Sequence, residues 1–368
     1  MSNKVTNNLP PIYFYIKNYQ NIPQQILELE VVDAWKWQFQ QSREDRKKIV
    51  SDGEFAWIVQ TYLRLKQDNF PCQLTDTFPQ EGIVLAHRDS LRYDIKPNSK
   101  TLIICVEGSQ TSHPFAQFRV VHNQRELFQA AKFHNNWQGQ TKMSVAKGCH
   151  FIRHWPQPGI IPRDRDRGDR FENIAYFGTG ANLASELLQP AWKEKLASLG
   201  LSWHFQRRGK PNGWMDYSYV DAVVAVRSFD EQDYTWKPAS KLYNAWHAEV
   251  PAVLGRESAF QDERKSDLDY LEVTSLDNLI NTLIRLRDDK KLYRSMVDNG
   301  KIRAAETQPK NLVADWRNFL TKIAVPAYEN WCNKSIISQQ IFITRCQLTE
   351  KYNTFINRMS INKKTIKT

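Results

Sequence analysis

Short runs of consecutive apolar residues punctuate this chain, and between them apolar positions recur every three or four residues. The first run, residues 12–16, reads as an opening strand. Residues 26–39 and 49–65 carry helical spacing. Three more runs follow at 82–86, 102–106 and 118–121, ending in His87-Arg88-Asp89, Glu107-Gly108-Ser109 and His122-Asn123. Continuous apolar strands that end in polar groups are what a parallel sheet with a functional edge produces. Ligands of open α/β sheets bind beyond the carboxyl ends of such strands.

Residues 154–169 break the pattern. Pro156, Pro158 and Pro162 forbid a regular helix or central strand there, and the charges from Arg163 to Arg170 predict a wet segment. The alternation then resumes. Strands are expected at 173–177, 202–205, 220–226 and 252–254, and helices at 182–199, 238–248, 276–287, 290–306 and 311–328. Pro326 marks a kink or end of the last of these, with further helix to about residue 356. Strand–helix alternation argues a Rossmann-like arrangement. The expected division is therefore an N-terminal α/β domain (1–155), a Pro-rich linker (156–171), a second α/β domain (172–310), helices (311–356) and a basic, disordered tail (357–368).

Composition narrows the class. The 368 residues are 41% hydrophobic and 25% charged, ordinary for a globular chain long enough for two cores. No apolar run approaches the roughly 20 residues that span a bilayer. The N-terminus lacks the apolar core of a secretory leader, so the cytoplasm is the expected address. Five scattered cysteines form no C-x-x-C pair, which argues reduced thiols and no zinc knuckle. The net charge is +11, and residues 321–368 hold six lysines and two arginines against two glutamates, a net +6. Such an end suits peripheral contact with an anionic membrane at its inner face, or simply a solvated tail. No nucleic-acid signature accompanies it, and no nucleic-acid partner is expected.

The most informative stretch is residues 237–255. Pro238 suits a first helical turn. Lys237, Ser240, Lys241, Asn244 and His247 then fall on one polar stripe at spacings of three and four. Free N–H groups of a first turn, with a lysine and a serine beside them, make a seat for a diphosphate. Asn244, one turn on, is placed for a ribose hydroxyl. The same spacing also fits a plain amphipathic helix with a solvated lysine face.

This stretch resembles the C-terminal-domain signature of the GT-B glycosyltransferases, a helix reading roughly K-L-x-N-A-x-x-x-x-V-P-x-V-x-G that leads into a strand. Here it is Lys241-Leu242-Tyr243-Asn244-Ala245 through Val250-Pro251-Ala252-Val253-Leu254-Gly255. Residues 270–277, 283–289 and 293–306 look like that fold's closing helices, and Gly178-Thr179-Gly180 is similar to its first loop. The resemblance covers about residues 172–306 and is only architectural before that. It implies an α/β protein of two facing Rossmann-like domains with a C-terminal helical extension that packs back on the first. The first domain would take the acceptor and the second the nucleotide-sugar. By position, Ser240, Lys241 and Asn244 would face the nucleotide and its phosphates, with Lys237 beside them. Gly178, Thr179 and Gly180 would offer backbone to the donor. Arg207, Arg208 and Arg227 follow strands and suit diphosphate as planar forks. One departure stands out: many retaining members carry two glutamates with seven residues between them, and those places hold Trp236 and Asn244 here. Glu249 replaces the small residue usual before Val-Pro. A retaining mechanism is not supported.

A transfer without that pair needs a general base for the acceptor hydroxyl and cations for the leaving diphosphate. His87 and Asp89 are the first candidates for the base and Glu107 the second, with His113 and His122 behind them. Each is also an ordinary polar loop residue. Asp164-Arg165-Asp166 spells D-x-D, a metal motif of another glycosyltransferase fold, but it follows no strand. No metal and no cofactor are expected in the site. Residues 209–214 read as a lid or a plain turn, and Trp155, Trp214 and Trp246 as core or as platforms for a base or sugar. The expected function is hexosyl transfer from a nucleotide-sugar to a hydroxyl of a carbohydrate or lipid-linked acceptor. The alternatives are another enzyme on the same scaffold, such as a sugar epimerase, or a catalytically silent carbohydrate- or nucleotide-binding protein. A phosphorylase would need pyridoxal phosphate on Lys237 or Lys241, and a dinucleotide dehydrogenase would need a G-x-G-x-x-G that is absent.

Overall fold

The computed structural model describes residues 9–106, 113–127, 148–206, 213–230 and 232–365. The chain divides into two compact units, one of residues 1–28, 43–152 and 313–368, the other of residues 29–42 and 153–312.

The first unit holds a six-stranded sheet. Its strands are β1 (Ile12–Tyr15), β2 (Gln73–Thr75), β3 (Gly82–His87), β4 (Thr101–Val106), β5 (Phe118–Val121) and β6 (Gly148–Phe151). They lie in the order β2-β1-β3-β4-β5-β6, and every pairing is parallel. All residues of β3 and β4 are buried, as strands covered on both faces must be. The helix before β2 is continuous from residue 52 to 67, with a widened turn at Phe55–Val59. After residue 309 the helices Pro309–Phe319 and Val325–Cys332 are joined by another widened turn, Leu320–Ala324, in which Val325 N–H reaches Leu320 O. Pro326, which has no N–H to give, follows that turn and ends nothing: the π-type turn takes up the missing bond. The last helix is Ile336–Thr365.

The second unit holds five strands: β7 (Asn173–Phe177), β8 (Ser202–Gln206), β9 (Ala222–Ala225), β10 (Ala252–Gly255) and β11 (Leu271–Val273). Their order is β11-β10-β9-β7-β8, again all parallel. The core of this unit runs from Phe171 to Ala304 around that sheet. Both units are therefore α/β with parallel sheets, and each has a point where the strand order reverses: β1/β3 in the first, β7/β9 in the second.

Some local expectations differ from what is seen. Residues 182–199 are not one helix but short 3₁₀ turns, Gly180–Asn182 and Ser185–Leu188, before the helix Pro190–Ser198, because Pro190 sets a new start. The helix expected from 238 begins at Ser240, so Lys237 and Pro238 precede it. Residues 29–42, sequence neighbours of β1, belong to the second unit: Phe39 meets Trp214 edge-on at 5.2 Å, and Val32 packs against Gly159. The segment expected to be wet is partly buried. Trp155 and Pro156 are inside, and Arg163 and Arg167 both pair with buried Asp221 at 2.8 and 2.7 Å. Among the described residues no helix is long and apolar enough to cross a membrane.

Candidate functional site

Three strand ends meet at the reversal point of the second unit. After β7 comes Gly178. A Cβ there would stand 2.5 Å from the Tyr176 hydroxyl, which folds back to share its proton with Thr179 O and Asn182 O at 3.0 and 3.1 Å. Thr179 Oγ1 accepts from Asn182 Nδ2 at 2.9 Å. After β9 comes Arg227, and after β10 Glu257. Gly255 lets these two neighbouring ends approach, since a side chain there would meet Val226 at 3.1 Å. Arg227 Nε donates to Glu257 Oε2 at 2.9 Å, and its NH1 donates to Asn182 Oδ1 at 2.6 Å. A polar chain Thr179–Asn182–Arg227–Glu257 thus links the three strand ends. The Arg227 and Glu257 side chains are only 12% and 3% exposed.

Two lysines join this pair. Lys237 lies in a turn closed by its own N–H on Tyr234 O at 2.8 Å, with Tyr234 in the left-handed region at φ 47°. Lys241 is the second residue of the Ser240–His247 helix, and its Nζ stands over the rings of Trp214 and Tyr176 at 5.5 and 5.8 Å. Burial, and then the Arg227 charge, pull both lysines below the ordinary lysine range, Lys241 to about 7. Burial pushes the Glu257 carboxyl up, opposed by Arg227, Lys237 and Lys241. Arg227, Lys237 and Lys241 therefore stand around the buried Glu257 carboxylate. Ser240 opens the helix, where the first N–H groups have no intrahelical acceptor. The combination is chemically an anion seat.

The segment before residue 160 covers the edge of this helix. His154 Nδ1 donates to Trp155 O at 2.5 Å; burial, with Lys241 nearby, holds its imidazole neutral, down to about 4. Gln157 N–H donates to Asn244 Oδ1 at 2.9 Å, and Asn244 also hydrogen-bonds Tyr217. Asn244 is buried, so its side chain ties this segment to the helix and is not among the cluster of charges.

The structure therefore brings together Gly178, Thr179, Gly180, Arg227, Lys237, Ser240 and Lys241, but not Asn244. Arg208, Arg207 and residues 209–212 lie outside the described residues, as does Glu107. Sequence reasoning missed Glu257, Asn182, Tyr176 and His154. Glu257 had a legible signal: it follows the end of β10 as Arg227 follows the end of β9. Asp164 caps a 3₁₀ turn, its Oδ1 accepting Asp166 N–H at 2.9 Å, and among the described residues no group of three or more His, Cys, Asp or Glu side chains is arranged to hold a metal. Trp246 is core, with Nε1 on Asp269 O at 3.1 Å and Arg303 over its ring.

In the first unit the reversal point carries His87, the last residue of β3. Its ring is nearly sealed, the residue being 4% exposed. Nδ1 accepts the Asp89 backbone N–H at 3.2 Å and lies 3.3 Å from Asp89 Oδ2. Ser51 Oγ donates to the same carboxylate oxygen at 3.0 Å. The His87 hydrogen bond is the main reason that the Asp89 carboxyl sits below its ordinary range. Trp57 packs on the ring at 4.8 Å, and Gly53 leaves room for its Nε2 edge, where a Cβ would stand 3.0 Å away. Among the described residues that buried Nε2 has no hydrogen-bond partner. Around the dyad, Ser51 caps the helix with Glu54 in a capping box, and Ser90 Oγ donates to Glu54 and accepts from Lys17 N, which follows β1. His113 and His122 each hold a backbone carbonyl through one ring nitrogen: Nε2 of His113 faces Arg92 O at 2.9 Å with burial lowering the ring to about 4, and Nδ1 of His122 faces Ile152 O at 2.7 Å.

No family model matches the chain, and no curated protein sequence does. Solved structures are similar to it. HepE of Anabaena, in complex with UDP-glucose, superposes with a TM-score of 0.48 at 10% identity, over 85% of this chain and 100% of that one. Sucrose-phosphate synthase of Thermosynechococcus elongatus gives 0.46 at 11%, over 76% of this chain and 78% of that one. The pneumococcal O-GlcNAc transferase GtfA, in complex with UDP and GlcNAc, gives 0.46 at 11%, over 75% of this chain and 60% of that one.

Proposed function

We propose that this chain is a glycosyltransferase that moves a sugar, a hexose by preference, from a nucleotide-sugar to a hydroxyl of a carbohydrate or lipid-linked acceptor. The observation that carries this reading is the gathering of Arg227, Lys237 and Lys241 at the β7/β9 reversal, in low-dielectric surroundings beside the Glu257 carboxylate. A leaving nucleoside diphosphate develops negative charge at the moment the sugar–oxygen bond breaks. Preorganised cations beside first-turn N–H groups stabilise that charge without reorganising. They do so without a metal ion, which is how we propose this site works. The backbone at Gly178–Gly180 lines the same seat.

In the first unit His87 is the candidate base. Asp89 stands against Nδ1 through its backbone N–H, which donates to the ring at 3.2 Å, and through its carboxylate, which would steady the imidazolium formed when His87 takes the proton of an acceptor hydroxyl.

The test is a thermal-shift and calorimetry panel of UDP, GDP, ADP, CMP and dTDP with their sugars, UDP first because HepE and GtfA hold it. Ligand at about a hundred times its Kd adds about 2.7 kcal/mol to the folded state. A response to one base only supports the donor seat. Silence across the panel removes it. Nucleotide binding with no turnover on any acceptor favours the catalytically silent reading, which the Trp236 and Asn244 positions keep in play.

A further inference from the structure

The Ile336–Thr365 helix is fixed in one rotation by its inner face. Phe342 meets Trp331 edge-on at 5.4 Å, Cys346 is fully buried, and Gln339 Nε2 donates to Trp331 O at 2.8 Å and to Ser99 O at 3.2 Å. All these partners belong to the first unit. With that face committed, the opposite face turns Ile337, Ile341, Leu348 and Tyr352 outward, the first three 73%, 53% and 61% exposed. Their spacings of four, seven and four keep them on one stripe. Single exposed apolar residues are normal, but a stripe at helical spacing is not.

Two occupants compete for such a stripe, a second copy of the helix and a lipid surface. A helix pair needs apolar residues at alternating spacings of three and four. The residues three after Ile341 and Leu348 are Thr344 and Lys351, both exposed, so no continuous seam exists. Arg345 and Lys351 instead flank the stripe, and residues 336–368 hold six basic residues against one acid. Apolar residues in a row with lysine and arginine at the margin are the pattern of a helix that lies in a lipid interface, its long basic side chains reaching the headgroups.

The geometry points to the stripe Ile337–Ile341–Leu348–Tyr352 as a docking face for an anionic phospholipid membrane, on which the helix lies without crossing. The basic end supplies long-range attraction and the stripe supplies insertion. This surface does not rest on the sugar-transfer reading.

The test uses the full chain and vesicles of phosphatidylcholine with and without phosphatidylglycerol, pelleted at low and high salt. The chain should bind the anionic vesicles only. Ile341→Glu/Leu348→Glu should bind about a hundredfold more weakly, with an unchanged thermal melt because both positions are exposed. Lys351→Glu should weaken binding at low salt and less so at high salt. Absence of binding to anionic vesicles, or equal binding by the double variant, overturns the proposal. So does a wild-type dimer in sedimentation that the double variant converts to monomer, since the stripe then belongs to a second copy.

Discussion

Arg227 Nε donates to Glu257 Oε2 at 2.9 Å across the ends of two neighbouring parallel strands. A guanidinium has five donors, and this bond with the one to Asn182 leaves others for a ligand. The pair cancels one positive charge, and Lys237 and Lys241 stand beside it.

Breaking the pair from either side should give opposite results. Arg227→Ala strands a buried carboxylate and should cost about 3–5 kcal/mol, with weaker nucleotide binding. Glu257→Gln keeps the shape and removes a negative charge beside the cations, so binding should be held or strengthened. Denaturant melts and calorimetry check both. Tenfold weaker binding by the glutamine variant would mean that the carboxylate itself contacts the ligand.

Lys241 makes binding depend on pH. Burial first, then Arg227, lowers it to about 7, so the folded chain holds this proton less tightly than the unfolded chain does. Below about pH 7 both states are protonated and the full penalty on folding applies; stability recovers as pH rises from there toward the ordinary lysine value. A bound anion reverses the shift. Nucleotide affinity should be flat below about pH 7 and fall above it, with proton uptake on binding. Lys241→Met should weaken binding and flatten both profiles in calorimetry run in two buffers. Unchanged affinity would remove Lys241 from the seat.

His87→Ala should leave nucleotide binding intact and lower transfer by about 10²–10⁴-fold. Asp89→Asn should reduce transfer less, because the amide keeps the shape of the carboxylate but not the charge that would steady an imidazolium. Turnover that survives the alanine change takes His87 out of the base role.

The loop after β7 distinguishes a steric glycine from a permissive one. Gly178→Ala drives a methyl into the Tyr176 hydroxyl and should destabilise by about 1–3 kcal/mol. Gly180→Ala meets nothing nearer than 3.7 Å and should fold as before. Equal melting temperatures for the two would contradict the close approach seen at Gly178.

Several elements were legible because their signal is local. The all-buried strands at 82–86 and 102–106 and the helices near 276–287 and 290–306 follow from apolar runs and spacing alone. Strands β2, β6 and β11 were not, because they are short and only partly buried. In the seat, Lys237, Ser240, Lys241 and Arg227 were readable from their places beside a helix start and a strand end. Asn244 was readable as polar and on the same stripe as Lys241, but not as buried: the segment at 154–157 covers that edge of the helix.

The sequence by itself determined the α/β class, the strand ends that carry polar groups and the basic C-terminal run, since each depends only on neighbours along the chain. The tertiary structure decided which strand ends meet. It set Glu257 against Arg227, gave residues 29–42 to the second unit, and pinned Phe342 and Cys346 so that Ile341 and Leu348 face outward. Parallel pairing joins strands far apart in sequence, and a helix turns whichever face its neighbours can bury. Neither choice is written in any local window.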